Sequence, residues 1–142
     1  VEDWFKPQAY VLILVSKSGY TCLFYGDYYG VSWNESIHKW VIDQLLKVRK
    51  NNAYGEQHNY FDHPRTVAMY RTGKDGDLST GCATLFSNGN DGNKWIEVGK
   101  NRVGQMWEEV TGTGLDKVEI NQDGWGNFAV KGGKVAVWVP AV

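Results

Sequence analysis

The sequence predicts two kinds of structure in succession: an α/β segment at the front and an antiparallel, all-β sandwich behind it. Three observations carry this. Thr21-Cys22-Leu23-Phe24-Tyr25 is an apolar run without alternation that stops at Gly26, as strands covered on both faces do. It lies between two segments that read as helices, which gives the helix–strand–helix unit of an α/β layer. From about Thr66 the chain changes to short strands separated by turns rich in Gly, Asn and Asp.

Periodicity alone does not decide the type of segment 9–15, which is apolar all round. Its punctuation favours a helix: Pro7 suits a first turn, Lys17 a last turn and Gly19 a left-handed stop. A second helix is predicted from a cap at Asn34 or Ser36 to about Lys50. Ile37, Trp40, Val41, Leu45 and Val48 form its apolar stripe, opposite Lys39, Asp43, Lys47 and Arg49. Seven strands follow, at 66–71, 82–87, 94–99, 105–110, 117–121, 127–130 and 134–139. Turns fall at Lys74-Asp75-Gly76-Asp77, Asn88-Gly89-Asn90-Asp91-Gly92, Asp123-Gly124 and Gly132-Gly133, and Asp123-Gly124 carries a hairpin signal. Val135, Val137 and Val139 share one face of the last strand. The boundary between the two regions falls near residues 54–62, which gives segments 1–55 and 56–142.

Composition narrows the function classes. Fifteen Lys and Arg stand against 16 Asp and Glu with no charged block, so nothing electrostatic points to nucleic acid or an anionic membrane. The run 9–15 is too short to span a bilayer. No basic leader or start methionine precedes it, so no signal peptide is visible. Cys22 and Cys82 each sit in an apolar run and read as buried free thiols rather than a disulfide framework. Asn34-Glu35-Ser36 is formally a glycosylation sequon. The outlier is aromatic content, with seven Trp, eight Tyr and five Phe beside 17 Gly. Such density fits tight-turned β structure, and it also fits recognition of ligands by ring stacking.

Among candidate sites, Asp27 sits just past the expected strand, where barrel active sites are built, but one carboxylate is not the pair a glycosidase needs. Bracing of the local turn is its commoner role. His58, Asp62 and His63 cluster without a helix to align them as metal ligands. The loops at 88–93 and 121–127 lack the acidic count of a calcium loop and read as turns. Trp95 and Trp125 are stronger candidates. Trp125 lies between two glycines and Trp95 follows the Asn-Gly turn. Exposed rings there would stack on a sugar, with Asn93, Asp123 or Asn127 bonding its hydroxyls. Packing of one ring, Trp95 above all, against the helices is the competing reading, whereas Trp107 and Trp138 read as core.

Several stretches, in order, carry a resemblance. They are Trp4-Phe5-Lys6-Pro7-Gln8-Ala9-Tyr10, Phe24-Tyr25-Gly26-Asp27-Tyr28-Tyr29-Gly30, Ala53-Tyr54-Gly55-Glu56-Gln57-His58, Tyr60-Phe61-Asp62-His63 and Ile120-Asn121-Gln122-Asp123-Gly124-Trp125-Gly126-Asn127-Phe128. Together they resemble the C-terminal third of a bacterial-type liquefying α-amylase of glycoside hydrolase family 13. The resemblance implies that residues 1–55 are helix 7, strand 8 and helix 8 of a (β/α)8 TIM barrel, and that 56–142 are a Greek-key β-sandwich. It implies retaining hydrolysis of internal α-1,4-glucosidic bonds of starch, with the Asp nucleophile, Glu acid/base and second Asp all upstream, so that this segment alone is inactive. Related enzymes hold Ca²⁺ between barrel and C-terminal domain. Arg65 and Asn88 stand at the matching positions, so that site is expected empty and no cofactor is expected in this chain. The implied partners are an α-glucan (starch or maltooligosaccharide) and the remainder of the barrel. An isolated chain is expected to self-associate, and the family favours secretion over a cytoplasmic location. A non-catalytic carbohydrate-binding or structural sandwich is the alternative function.

Overall fold

The computed structural model describes residues 4–17, 23, 25–30 and 38–141. Helix α1, Lys6–Val15, opens with Pro7 in its first turn, where a missing N–H costs nothing. A five-residue helix α2 spans Tyr25–Tyr29, and α3 spans Lys39–Asn51 with Arg49 and Lys50 in its last turn. The expected strand at 21–25 has Thr21, Cys22 and Phe24 outside the described residues. Leu23 carries no regular structure, and Tyr25 opens α2, so the turn expected around Asp27 is a short helix. The caps expected at Asn34 and Ser36 and the sequon also lie outside the described residues.

In α3 the buried residues are Ile42, Leu45 and Val48, while Trp40 is 54% exposed and lies over Gly112. Leu45 and Val48 of the expected stripe are buried and Val41 packs half-buried beside them, Ile37 lies outside the described residues, and Trp40 alone departs, with Ile42 in its place. Ile42, Leu45 and Val48 follow each other at three-residue spacing and bury well without Trp40, whose broad ring covers backbone of the 111–113 turn instead.

Eight strands follow: β1 Gln57–Tyr60, β2 Thr66–Arg71, β3 Cys82–Ser87, β4 Gly92–Glu97, β5 Met106–Glu109, β6 Val118–Glu119, β7 Trp125–Val130 and β8 Val135–Pro140. All pairings are antiparallel. They make a six-stranded sheet of order β1-β2-β3-β8-β5-β6 and a two-stranded sheet β4-β7. This is a β-sandwich, as expected. Neither the 88–91 turn nor the Asp123-Gly124 turn makes a hairpin, however. The 88–91 turn carries the chain from β3 to β4, and the Asp123-Gly124 turn carries it from β6 to β7, each time from one sheet to the other.

The large sheet is covered on both faces. Toward the helices, Met69, Cys82, Phe86, Val135, Val137 and Val139 pack with Tyr10, Val11, Leu14, Val15, Ile42 and Leu45. Toward the small sheet, Leu85, Trp107, Ala136 and Trp138 pack with Ile96, Phe128 and Val130. The period-2 alternation of a strand sends Val135, Val137 and Val139 one way and Ala136 and Trp138 the other. Every position of β3 and β8 is buried for this reason. Trp107 and Trp138 are fully buried, as the sequence suggests.

Side chains lock the helices onto the sheet. Arg71 donates from Nη1 to the Val15 carbonyl at 2.8 Å, and Arg49 donates to the Leu14 carbonyl at 2.9 Å. Two guanidiniums therefore meet the carbonyl end of α1, where its dipole is negative and its last C=O groups lack helical partners. Gln8 donates to the Ser87 carbonyl at 3.0 Å.

Candidate functional site

The two-stranded sheet has an inner face in the core and an outer face in solvent. Directly opposed residues of an antiparallel pair lie on the same face. The register sets Asn93 against Ala129, Trp95 against Asn127 and Glu97 against Trp125. These six residues form the outer face, and Ile96, Phe128 and Val130 form the inner one. Trp95 and Trp125 are therefore diagonal neighbours on adjacent strands of one face. Trp95 is 54% exposed and Trp125 half-buried. Trp95 thus faces away from the core, in a different layer from α1, α2 and α3. Asn93 donates from Nδ2 to Asn127 Oδ1 at 2.8 Å across the same surface.

The turn before β7 fixes Trp125. Asn121 Oδ1 accepts from the backbone N–H of Asp123 at 2.9 Å and of Trp125 at 3.0 Å. Gly124 has φ of +82°, and a Cβ there would come within 2.5 Å of the Gly99 backbone. Only glycine fits that approach. The Gly124 carbonyl accepts from Val98 N–H at 2.9 Å and from Gly99 N–H at 3.1 Å, which ties the turn to the end of β4. Asp123 is exposed at the tip.

The other candidates serve the fold. Asp27 accepts from Lys6 Nζ at 2.8 Å and from the Tyr10 hydroxyl, so it fastens α2 to α1. Burial would raise its pKa, but the hydrogen bonds from Lys6 and Tyr10 outweigh that and hold it below the ordinary value. Tyr28 donates to Asp43 at 2.5 Å and fastens α2 to α3. His63 Nδ1 accepts from the backbone N–H of Arg65 at 3.1 Å and of Thr66 at 3.3 Å. Asp62 pairs with Lys94 at 2.5 Å, and His58 stacks on Tyr70. The hydrogen bond from Lys94 holds the Asp62 carboxyl below its ordinary pKa. The cluster expected at 58–63 is thus divided among separate partners. Cys82 is a buried free thiol pushed up to about 12 by burial, while Cys22 lies outside the described residues.

Arg65 and Asn88 stand side by side, with the Asn88 N–H donating to the Arg65 carbonyl at 3.2 Å. A guanidinium and a neutral amide supply no carboxylate, so this pair does not fit a calcium ion. Among the described residues no group of three or more His, Cys, Asp or Glu could hold a metal. No helix among them is long and apolar enough to cross a membrane.

Sequence reasoning missed one feature, a cleft lined by Tyr60, Asp75, Glu97, Asn101 and the buried Arg102. Its walls come from three separate stretches of chain, and no linear motif marks it.

No family model matches the chain. It is 47% identical over 141 residues to an α-amylase of Geobacillus stearothermophilus, and the match covers 99% of this chain and 26% of that protein. It is 45% identical over 140 residues to a glucan 1,4-α-maltohexaosidase of Bacillus sp. (strain 707), covering 98% and 27%. In sequence, the chain is similar to the C-terminal portion of bacterial α-amylases. A cytoplasmic α-amylase of Escherichia coli (strain K12) is 37% identical, again over 98% of this chain. The chain spans between 26% and 30% of the length of these α-amylase relatives. Among solved structures, a truncated alternansucrase from Leuconostoc mesenteroides matches with a TM-score of 0.79 at 19% identity, over 96% of this chain and 17% of that one. An Anoxybacillus α-amylase matches with a TM-score of 0.61 at 15% identity, over 96% and 32%. At such identities the likeness to these α-amylase and alternansucrase structures is one of fold.

Proposed function

We propose that the chain is the C-terminal part of an α-amylase that hydrolyses internal α-1,4-glucosidic bonds of starch with retention. In this reading residues 1–55 complete a (β/α)8 barrel as helix 7, strand 8 and helix 8, and residues 56–142 form the Greek-key sandwich. The observation that carries it is the identity of 45–47% to two bacterial relatives along nearly the whole chain. The catalytic Asp, Glu and Asp belong to the remainder of such an enzyme, and any Ca²⁺ belongs there too. Exposed Leu12, Trp40 and Leu46 on the helices support a covering layer supplied by the rest of the barrel.

The contribution of this chain is to hold substrate. Trp95 and Trp125 on the outer face of β4–β7 are the glucan-binding residues, with Asn93, Asn127 and Asp123 around them for hydroxyls. A flat ring held by a two-stranded sheet loses little freedom when a sugar stacks on it. Two measurements test the reading. The isolated chain should show no glucan hydrolysis, and turnover above blank would overturn the assignment of catalysis to the missing part. Maltooligosaccharide should quench tryptophan fluorescence in the wild type and less in Trp95→Ala and Trp125→Ala. Equal binding by all three proteins would remove the site.

A further inference from the structure

A cleft opens beside the outer face. Tyr60 and His58 of edge strand β1 form one wall, Lys74 and Asp75 after β2 another, and Glu97 with Asn101 a third. Buried Tyr70 is its floor, and its hydroxyl donates to the Val98 carbonyl at 3.3 Å. The His58 ring stacks on Tyr70 with centroids 6.3 Å apart.

The walls are fixed by a charge. Arg102 is 3% exposed and donates to the carbonyls of Leu78 (3.0 Å), Thr72 (3.0 Å) and Thr80 (2.9 Å). One guanidinium thereby clamps the loop after β2 to the segment after β4 and sets the width of the opening. The lining also says what would enter. One exposed ammonium stands against two carboxylates, while Asn101, Thr72 and Tyr60 add neutral donors and acceptors. A phosphate would meet Asp75 and Glu97, and a metal cation would meet Lys74. A neutral, hydroxyl-rich chain meets a partner on every side.

The cleft is continuous with the tryptophan face. Glu97 stands opposite Trp125 in the β4–β7 ladder and also lines the cleft. Val98 and Gly99, the next residues of that wall, bond the carbonyl of Gly124 in the turn that carries Trp125. Ring and wall are one hydrogen-bonded unit.

We propose that the cleft extends the glucan-binding face, so that a single α-glucan chain passes over Trp95 and Trp125, past Glu97, and into the space between Tyr60 and Asp75. This rests on the reading of the outer face as glucan-binding. Calorimetry of the chain with maltotriose and maltoheptaose tests it, using a His58→Ala/Asp75→Ala double variant and Trp95→Ala. The heptasaccharide should bind the wild type about tenfold tighter than the trisaccharide, the value of one further well-made contact. The double variant should keep trisaccharide affinity and lose that gain, while Trp95→Ala weakens both sugars. Should the double variant melt below the wild type, Asn101→Ala, on the opposite wall and exposed, takes its place with the same expected loss. Equal wild-type affinity for the two sugars, or a gain that survives the cleft variants while Trp95→Ala weakens both, overturns the cleft and leaves the outer face standing. If Trp95→Ala changes neither sugar, or the wild type binds neither, the underlying reading falls and the extension falls with it.

Discussion

Arg102→Met removes a buried charge while keeping most of the side-chain volume, and its cost follows from what the guanidinium holds. Of the three carbonyls it serves, that of Leu78 also accepts from Gln105 Nε2 at 2.7 Å and keeps that partner. Those of Thr72 and Thr80 each lose a charged donor. Gln105 Oε1 loses its bond from Arg102 but keeps the one from Trp107 Nε1 at 3.0 Å. The guanidinium also lies over the Trp107 ring at 5.4 Å. Two charge-assisted hydrogen bonds at about 1.5–3 kcal/mol each sum to roughly 3–6 kcal/mol. Against this stands the relief of desolvating a guanidinium that is hydrogen-bonded to no carboxylate here, so the net loss is placed near 3 kcal/mol. For a chain of this size that lowers Tm by about 10 °C. Thermal melting followed by circular dichroism measures it, and amide exchange should rise first in residues 72–81. Arg102→Lys restores the charge without the fork and should recover only part of the loss. A melting point for Arg102→Met within 2 °C of wild type, a margin set well inside the expected shift, would refute the clamp, because water would then be serving those carbonyls equally well.

Other substitutions probe separate joints. Gly124→Ala combines a positive φ with backbone contact at 2.5 Å, so it should cost about 2–3 kcal/mol and lower tryptophan-dependent sugar binding, read by melting and fluorescence titration. Glu109 accepts from the N–H of Thr111, Thr113 and Val137 and from both threonine hydroxyls. Glu109→Gln turns one acceptor into a donor facing donors and should destabilise by about 2 kcal/mol in urea titration. Asp27 has a folded pKa below its ordinary 3.8, so its stabilisation is complete above that value and disappears as the pH falls through the lower, folded one. Asp27→Asn should therefore flatten the acid limb of the stability curve and leave its slope near neutrality unchanged. Each of Trp95→Ala and Trp125→Ala should weaken glucan binding by about 1–3 kcal/mol, by analogy with the stacking of bases on aromatic rings.

The strands were legible where both faces are apolar. β2 and β3 stand at the positions their composition predicts, since a run such as Cys82-Ala83-Thr84-Leu85-Phe86 suits a strand pressed from two sides. β1 was not legible. Gln57-His58-Asn59-Tyr60 is polar because it is an edge strand with one open side, and hydrophobic pattern is silent there. Trp40 misled the helix reading because residue type announces an apolar surface without saying whether protein or solvent meets it. Trp95 and Trp125 read as exposed rings from their positions beside turns. Their juxtaposition arises from the pairing of β4 with β7, which no local signal reveals. The cleft lay beyond sequence reasoning altogether, because Arg102 joins backbone carbonyls, whose positions owe nothing to residue identity.

The doubly covered sheet sets a rule for anyone wishing to transplant the sandwich. Cutting the chain near residue 55 would leave Met69, Cys82, Phe86, Val135, Val137 and Val139 as a bare apolar wall, with Arg71 deprived of the Val15 carbonyl. A graft of the β region alone therefore invites stacking of one copy's wall on another's. A soluble module needs either the helices carried along or those six positions rewritten with polar side chains. The opposite face, where Trp138 packs with Phe128 of the small sheet, can stay as it is.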